Sequence, residues 1–186
     1  SVAQYAEFLA KNSGGGDLTP RDWPSQLKDK DNPVVGVDWS AAAAYCRWSS
    51  GRLPKAREWR WAAYGLRAGE RDYPWGNTDE VDTVNANGLQ KVTLPDSKDR
   101  VPGSGIVGMG GNAAEWVRAT DSADRFEAPA LGASWMGMPS HAHRSVPLSR
   151  LKHNRRKKDM EIGFRLAKDV VPQEVQNWLQ KHQKSE

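Results

Sequence analysis

Apolar positions recur at helical spacing from the first residues of the chain. Val2, Tyr5, Phe8 and Leu9 fall on one helical face, and Ser1 stands where an N-cap belongs. Residues 13–34 carry no such period, and "DWP" and "DNP" mark turns. The apolar run from Val34 to Trp39 reads as extended. Ser40 is then expected to cap a second helix, "AAAAYCRWSS", with Gly51 as its stop. Pro54 marks the start of a third, "REWRWAAYG" (Arg57 to Gly65), whose inward face is Trp59, Ala62 and Ala63. From Leu66 to Gly111 the pattern dissolves into turns such as "YPWGN", "NANGL" and "PGSG". Short strands are expected at "AEWVRAT", "ALGASW" and "IGFRLA". The tail "PQEVQNWLQKHQKSE" reads as an amphipathic helix opened by Pro172, with Val175, Trp178 and Leu179 as a narrow stripe.

Composition changes this picture in three respects. The 186 residues suffice for one domain with a sizeable core, yet only 38% are hydrophobic. Nine tryptophans compensate, because an indole fills much volume per residue. Trp39, Trp48, Trp59, Trp116 and Trp135, which flank the expected helices and strands, are therefore expected in the core. Cys46 is the single cysteine, so no disulfide forms within the chain. No run approaches the roughly 18 apolar residues of a membrane helix.

The net charge of +4 has a local source. "RLKHNRRKK", from Arg150 to Lys158, holds six cations and no acid. Such a run is either a solvated loop or an anion-binding surface. No aromatic interleaves it to stack on bases, so nucleic acid is not the expected partner.

Candidate chemistry centres on "GGNAAEW", Gly110 to Trp116, where a carboxylate sits beside an indole in a tight glycine-led turn. Glu115 can be a metal ligand, a catalytic acid or a structural hydrogen-bond acceptor. No second titrating group stands beside it in sequence to share proton transfer. His141 and His143 would face the same way on a strand, and His153 follows. No nucleophile-elbow sequence supports a Ser/His/Asp triad.

"PVVGVDWSAAAAYCRWSSGRLPKAREWRWAAYG", "YPWGN", "GGNAAEW", "GASW" and "GFRLA" occur in one order. Together they resemble the formylglycine-generating-enzyme (sulfatase-modifying factor) family. The resemblance spans residues 1–168 and leaves 169–186 as a helical tail. It implies an α+β fold of C-type-lectin-like type, loop-rich, with two main helices and short twisted strands. The family's usual first strands are missing ahead of "SVAQYAEFLA".

The resemblance also implies what chemistry to look for. The family enzyme is a copper oxidase that holds copper(I) through two thiolates, the soft ligands that this ion selects. Aligned on Trp135, those positions fall on Gly137 and Ala142, so copper is not expected and the domain reads as non-catalytic. Iron is not expected either, because nothing in the sequence resembles the helical domain that supplies most of the ligands in the family's iron-dependent branch. The alternative is a metal-dependent oxidoreductase with a relocated site. The "GN-x-x-EW" segment of the family holds calcium, which maps to Gly111, Ala113 and Glu115; a second calcium site maps to Asn87 and Gly88, with Asp96 or Asp99 as its acidic partner. What remains is binding. The segment from Met136 to Ile162 corresponds to the family's ligand face, and Trp135, His141, His143, Arg144, Arg150, Arg155 and Arg156 are its candidate contacts. A protein partner or an anionic ligand is expected. The resemblance points to bacterial regulators linked to Ser/Thr kinases or to envelope proteins, hence an exported or periplasmic setting.

Overall fold

A computed structural model describes residues 1–12, 16–65, 71–77, 99–118, 126–137, 139–147, 151–169 and 173. Asn87, Gly88, Asp96, Arg150 and all but Asp169 and Gln173 of the expected tail helix lie outside the described residues.

Helix α1 spans Val2–Lys11, and Ser1 caps it with a capping box in which Gln4 reaches back. Val2, Tyr5 and Phe8 are buried, while Leu9 is half-buried. A short helix α2, Trp23–Gln26, interrupts the expected loop. Helix α3 runs Trp39–Trp48. Its cap is Asp38, whose carboxylate accepts from the Ala41 N–H, and not Ser40. The stop also differs, since Ser50 takes the left-handed turn at φ 56°. Gly51 serves packing instead: a Cβ there would stand 2.8 Å from the Ala167 carbonyl oxygen. Helix α4, Ala56–Tyr64, ends at Gly65 as expected, and Trp59 and Ala63 face inward.

Four short strands form one mixed sheet: β1 (Ala114–Trp116), β2 (Glu127–Leu131), β3 (Lys152–Asn154) and β4 (Ile162–Phe164), in the order β3-β2-β1-β4. Strand β1 pairs antiparallel with β2 and parallel with β4. Strand β3 lies inside the basic run that the sequence left as a loop; it pairs antiparallel with β2. Val34, Val35 and Val37 are buried but form no strand, because Gly36 turns the chain at φ 66°.

One core packs α1 and α3 on the sheet through rings. Tyr5 stacks on Tyr45 at 5.5 Å, and Phe8, Trp48 and Phe164 meet that pair edge-on or tilted. A second core gathers Trp59, Val101, Met109, Val117 and Leu131 under α4. Trp59 and Trp116 are fully buried, but Trp39, Trp48 and Trp135 are only half-buried. Each of these last lies at the rim of its packing cluster, so part of its indole meets solvent.

Candidate functional site

The segment before β1 is held from below. Asp99 is buried, and its carboxylate accepts the Gly110 and Gly111 N–H groups at 3.1 Å. Trp75 covers this contact, and a Cβ on Gly110 would run into its six-membered ring. Glycine is therefore required at 110 by close approach. Burial pushes the Asp99 carboxyl up to about 7, against the pull of the Gly110 N–H and with help from the nearby Glu115 charge. Asp99, offered by the sequence as a partner of the second calcium site, here anchors the glycine turn.

Glu115 points from β1 into the second core. Its Oε2 accepts from Trp59 Nε1 at 2.6 Å and from Arg165 Nε at 2.5 Å, and its Oε1 accepts from the other arm of that guanidinium at 2.6 Å. Arg165 also donates to the Val107 carbonyl at 3.1 Å. Parallel pairing of β4 with β1 puts Glu115 opposite Gly163, so Arg165 leaves the strand two residues later within reach. Of the three roles open to Glu115, this geometry supports the structural acceptor. Both oxygens are spent on a fork-shaped cation and an indole. A calcium ion there would displace a paired guanidinium, and the Gly111 carbonyl already accepts the Ala113 N–H at 2.9 Å. Calcium at Gly111, Ala113 and Glu115 would have to take the Glu115 carboxylate from Arg165 and Trp59.

The positions to which the resemblance maps the two thiolates, Gly137 and Ala142, are tightly packed. Ala142 is fully buried, and its carbonyl accepts the Tyr64 hydroxyl at 2.8 Å. A Cβ at Gly137 would stand 3.2 Å from Ser134 Oγ and 3.4 Å from His141 Nδ1. Ser134 Oγ accepts the Gly137 N–H and donates to Glu161. Cys46 is fully buried on α3, and burial pushes its thiol up to about 12.

The histidines do not share a strand face. Residues Pro139–Ala142 form a 3-10 turn, with His141 exposed. His143 lies half-buried with Nδ1 2.6 Å from Ser145 Oγ. His153 is on β3 against Trp116, and burial lowers its pKa. Among the described residues no group of three or more His, Cys, Asp or Glu side chains is placed to hold a metal.

The cations of the expected face are largely paired. Arg144 Nε donates to Asp72 at 2.9 Å. Arg155 lies 3.8 Å over the Trp39 ring. Lys157 reaches Asp159 at 2.9 Å, and Lys158 reaches Asp17 at 2.6 Å. Arg156 is exposed, with its backbone N–H on Asn154. Trp135 packs elsewhere, on Val35, Ala113 and Met160, and donates to the Met160 carbonyl at 3.2 Å. Arg144 and Arg155 thus engage Asp72 and Trp39, while Trp135 has a different neighbourhood. Asp99 and Arg165 were not singled out by sequence reasoning for these roles. Arg165 had a signal, being the cation of "GFRLA"; Asp99, in "SKDRVPG", had none.

Comparison with known proteins places this geometry in a lineage. Residues 1–170 match the sulfatase-modifying factor enzyme 1-like domain. A serine/threonine-protein kinase of Chlamydia trachomatis is 35% identical over 161 residues, covering 75% of this chain and 24% of the kinase. The inactive Cα-formylglycine-generating enzyme 2 of Bos taurus is 31% identical over 77% of this chain and 52% of its own length. The formylglycine-generating enzyme of Streptomyces coelicolor is 29% identical, covering 75% and 54%. The chain spans about half the length of these two enzyme-type relatives and a quarter of the kinase. Among solved structures, Treponema denticola variable protein 1 superposes with a TM-score of 0.60 at 19% identity, covering 74% of this chain and 71% of that one. With its ordered motifs on a mixed α+β scaffold, and with the match running nearly end to end, this chain belongs to the family of sulfatase-modifying factor enzyme 1-like domains.

Proposed function

We propose that the domain is a non-enzymatic binding and regulatory module that presents residues 136–162 to a protein partner or an anionic ligand. One observation carries this reading: a copper(I) site needs two thiolates, and the single cysteine is buried in the core while the two expected positions hold Gly137 and Ala142. The scaffold around those positions is tied by hydrogen bonds at Ser134, Gly137 and the Ala142 carbonyl, as suits a recognition platform. We read that scaffold as C-type-lectin-like. Relatives named as inactive enzymes show that the family includes members without the chemistry, and the kinase relative fits a regulatory setting.

Two measurements test the reading. Incubated with a sulfatase-type cysteine peptide, copper and oxygen, the protein yields no aldehyde product by mass spectrometry; finding formylglycine overturns it. A pull-down with the full chain retains a partner that is lost when exposed Met136, His141 and Arg156 are all replaced by Glu. Equal recovery by both proteins removes the 136–162 face from the reading. Any ionic share of that binding weakens as salt rises, because exposed charges are screened over roughly 8 Å at physiological ionic strength.

A further inference from the structure

A cavity of about 220 Å³ opens between α2, the chain that follows it, and the Trp135 turn. Its apolar wall is Trp135, Met160, Val35 and Val2. The Trp135 indole is fixed there by its N–H bond to the Met160 carbonyl. The polar side of the lining holds two carboxylates, with Ser25, Gln26 and Asn32, which can donate as well as accept. Asp22 and Asp29 face the cavity together with the Ser25 hydroxyl. Gln26, which also lines it, is already spent, since its amide bonds the Arg21 and Val35 carbonyls and accepts the Val35 N–H.

Asp22 occupies the N-cap of α2 but makes no capping bond with its side chain. Among the described residues neither it nor Asp29 has a cation beside it in an ion pair, although the chain carries an excess of cations. Lys28 and Lys30 come from the same segment and do not line the cavity. An aromatic and thioether wall faces two unpaired carboxylates. The complement is a group with an aliphatic stem and a cationic, donor-only head.

We propose that this cavity receives a lysine or arginine side chain of a partner protein. The stem would lie along Trp135 and Met160, and the head would meet Asp22 and Asp29. The inference rests on the reading of the domain as a recognition module, but its charge requirement is opposite to that of the basic run. Binding of a basic residue here and an acidic surface at Arg156 would together fix the orientation of a partner.

The test reads the Trp135 indole N–H resonance, assigned by Trp135→Phe, during titration with end-blocked tripeptides. Gly-Lys-Gly and Gly-Arg-Gly should shift it saturably, and Gly-acetyllysine-Gly should not. In the double variant Asp22→Asn, Asp29→Asn, affinity for both basic peptides should fall at least about tenfold, or roughly 1.4 kcal/mol. Asparagine tolerates the left-handed conformation that Asp22 adopts at φ 52°, so the fold is kept, as unchanged amide spectra away from α2 would confirm. Asp31→Asn, outside this cavity, is the control and should bind as wild type. No saturable shift with either basic peptide, an equal shift with acetyllysine, or full affinity in the double variant overturns the proposal. The pull-down with Met136, His141 and Arg156 replaced fails or succeeds independently, because none of those residues lines the cavity.

Discussion

The loop from Asp99 to Trp116 and the face from Trp135 to Ile162 use charge in opposite ways. In the first, every carboxylate has a designated donor: Asp99 takes two backbone N–H groups, and Glu115 takes an indole and a guanidinium. In the second, cations make pairs nearer the surface, such as Arg144 with Asp72, or rest on a ring, as Arg155 does on Trp39. Burial accounts for the difference. A buried charge must be matched or it destabilises the fold, whereas an exposed pair contributes little and can exchange partners. The first region therefore holds the fold, and the charges of the second are freer to exchange partners.

The largest expected effects break the first region. Trp59→Ala removes a fully buried indole and one donor to Glu115, and should cost about 3–5 kcal/mol in urea melts. Trp135→Ala, at a half-buried indole, should cost well under that. An equal loss from both would mean that the two regions are packed alike. Arg165→Ala leaves Glu115 without its cation and should cost about 3 kcal/mol. Arg155→Ala, which removes a cation from a surface ring, should cost about 0.5–1 kcal/mol.

Asp99 gives the comparison a pH dependence. Its folded-state value of about 7 lies above the ordinary 3.8, so the folded protein keeps a proton that the unfolded chain has released. The contribution of this group to stability is therefore greatest below about 4 and falls as pH rises towards 7. Asp99→Asn should flatten that part of the profile. The urea midpoint, measured at pH 5 and pH 7.5 for both proteins, checks it; parallel profiles would falsify the assignment.

Smaller effects sharpen the contrast. Calcium added after chelation should leave the melting midpoint unchanged, because Glu115 already holds Arg165. A bound ion at a hundredfold excess over its dissociation constant would instead add about 2.7 kcal/mol. The smallest effect is Arg156→Glu, which should alter stability by less than about 0.5 kcal/mol while changing any salt-dependent binding.

Several elements were legible because local physics determines them. The N-cap at Ser1, the glycine stop at Gly65 and the inward Trp59 follow from short-range pattern. The helix α3 cap was read two residues late, since both Asp38 and Ser40 are good caps and only backbone geometry chooses between them. Strand β3 was hidden because "KHN" has neither apolar alternation nor β-branched residues; it is a strand through its register with β2. At the candidate site, Gly137 and Ala142 were legible as positions without metal ligands. The closeness of Asp99 to Gly110, across eleven residues of chain, was not.

The sequence by itself determined the family, the main helices and the absence of a thiol at Gly137 and Ala142, because each depends on residue identity at short or fixed spacing. Only the tertiary structure decided which charges are internal and which are offered. Glu115 and Arg165 are 50 residues apart in sequence, and they become one ion pair only because β4 lies parallel beside β1. Asp22 and Asp29 read as ordinary loop acids until Trp135 and Met160, more than a hundred residues on, close the cavity that they face. Charge has no role of its own in a sequence; its surroundings assign one, and long-range contacts make the surroundings.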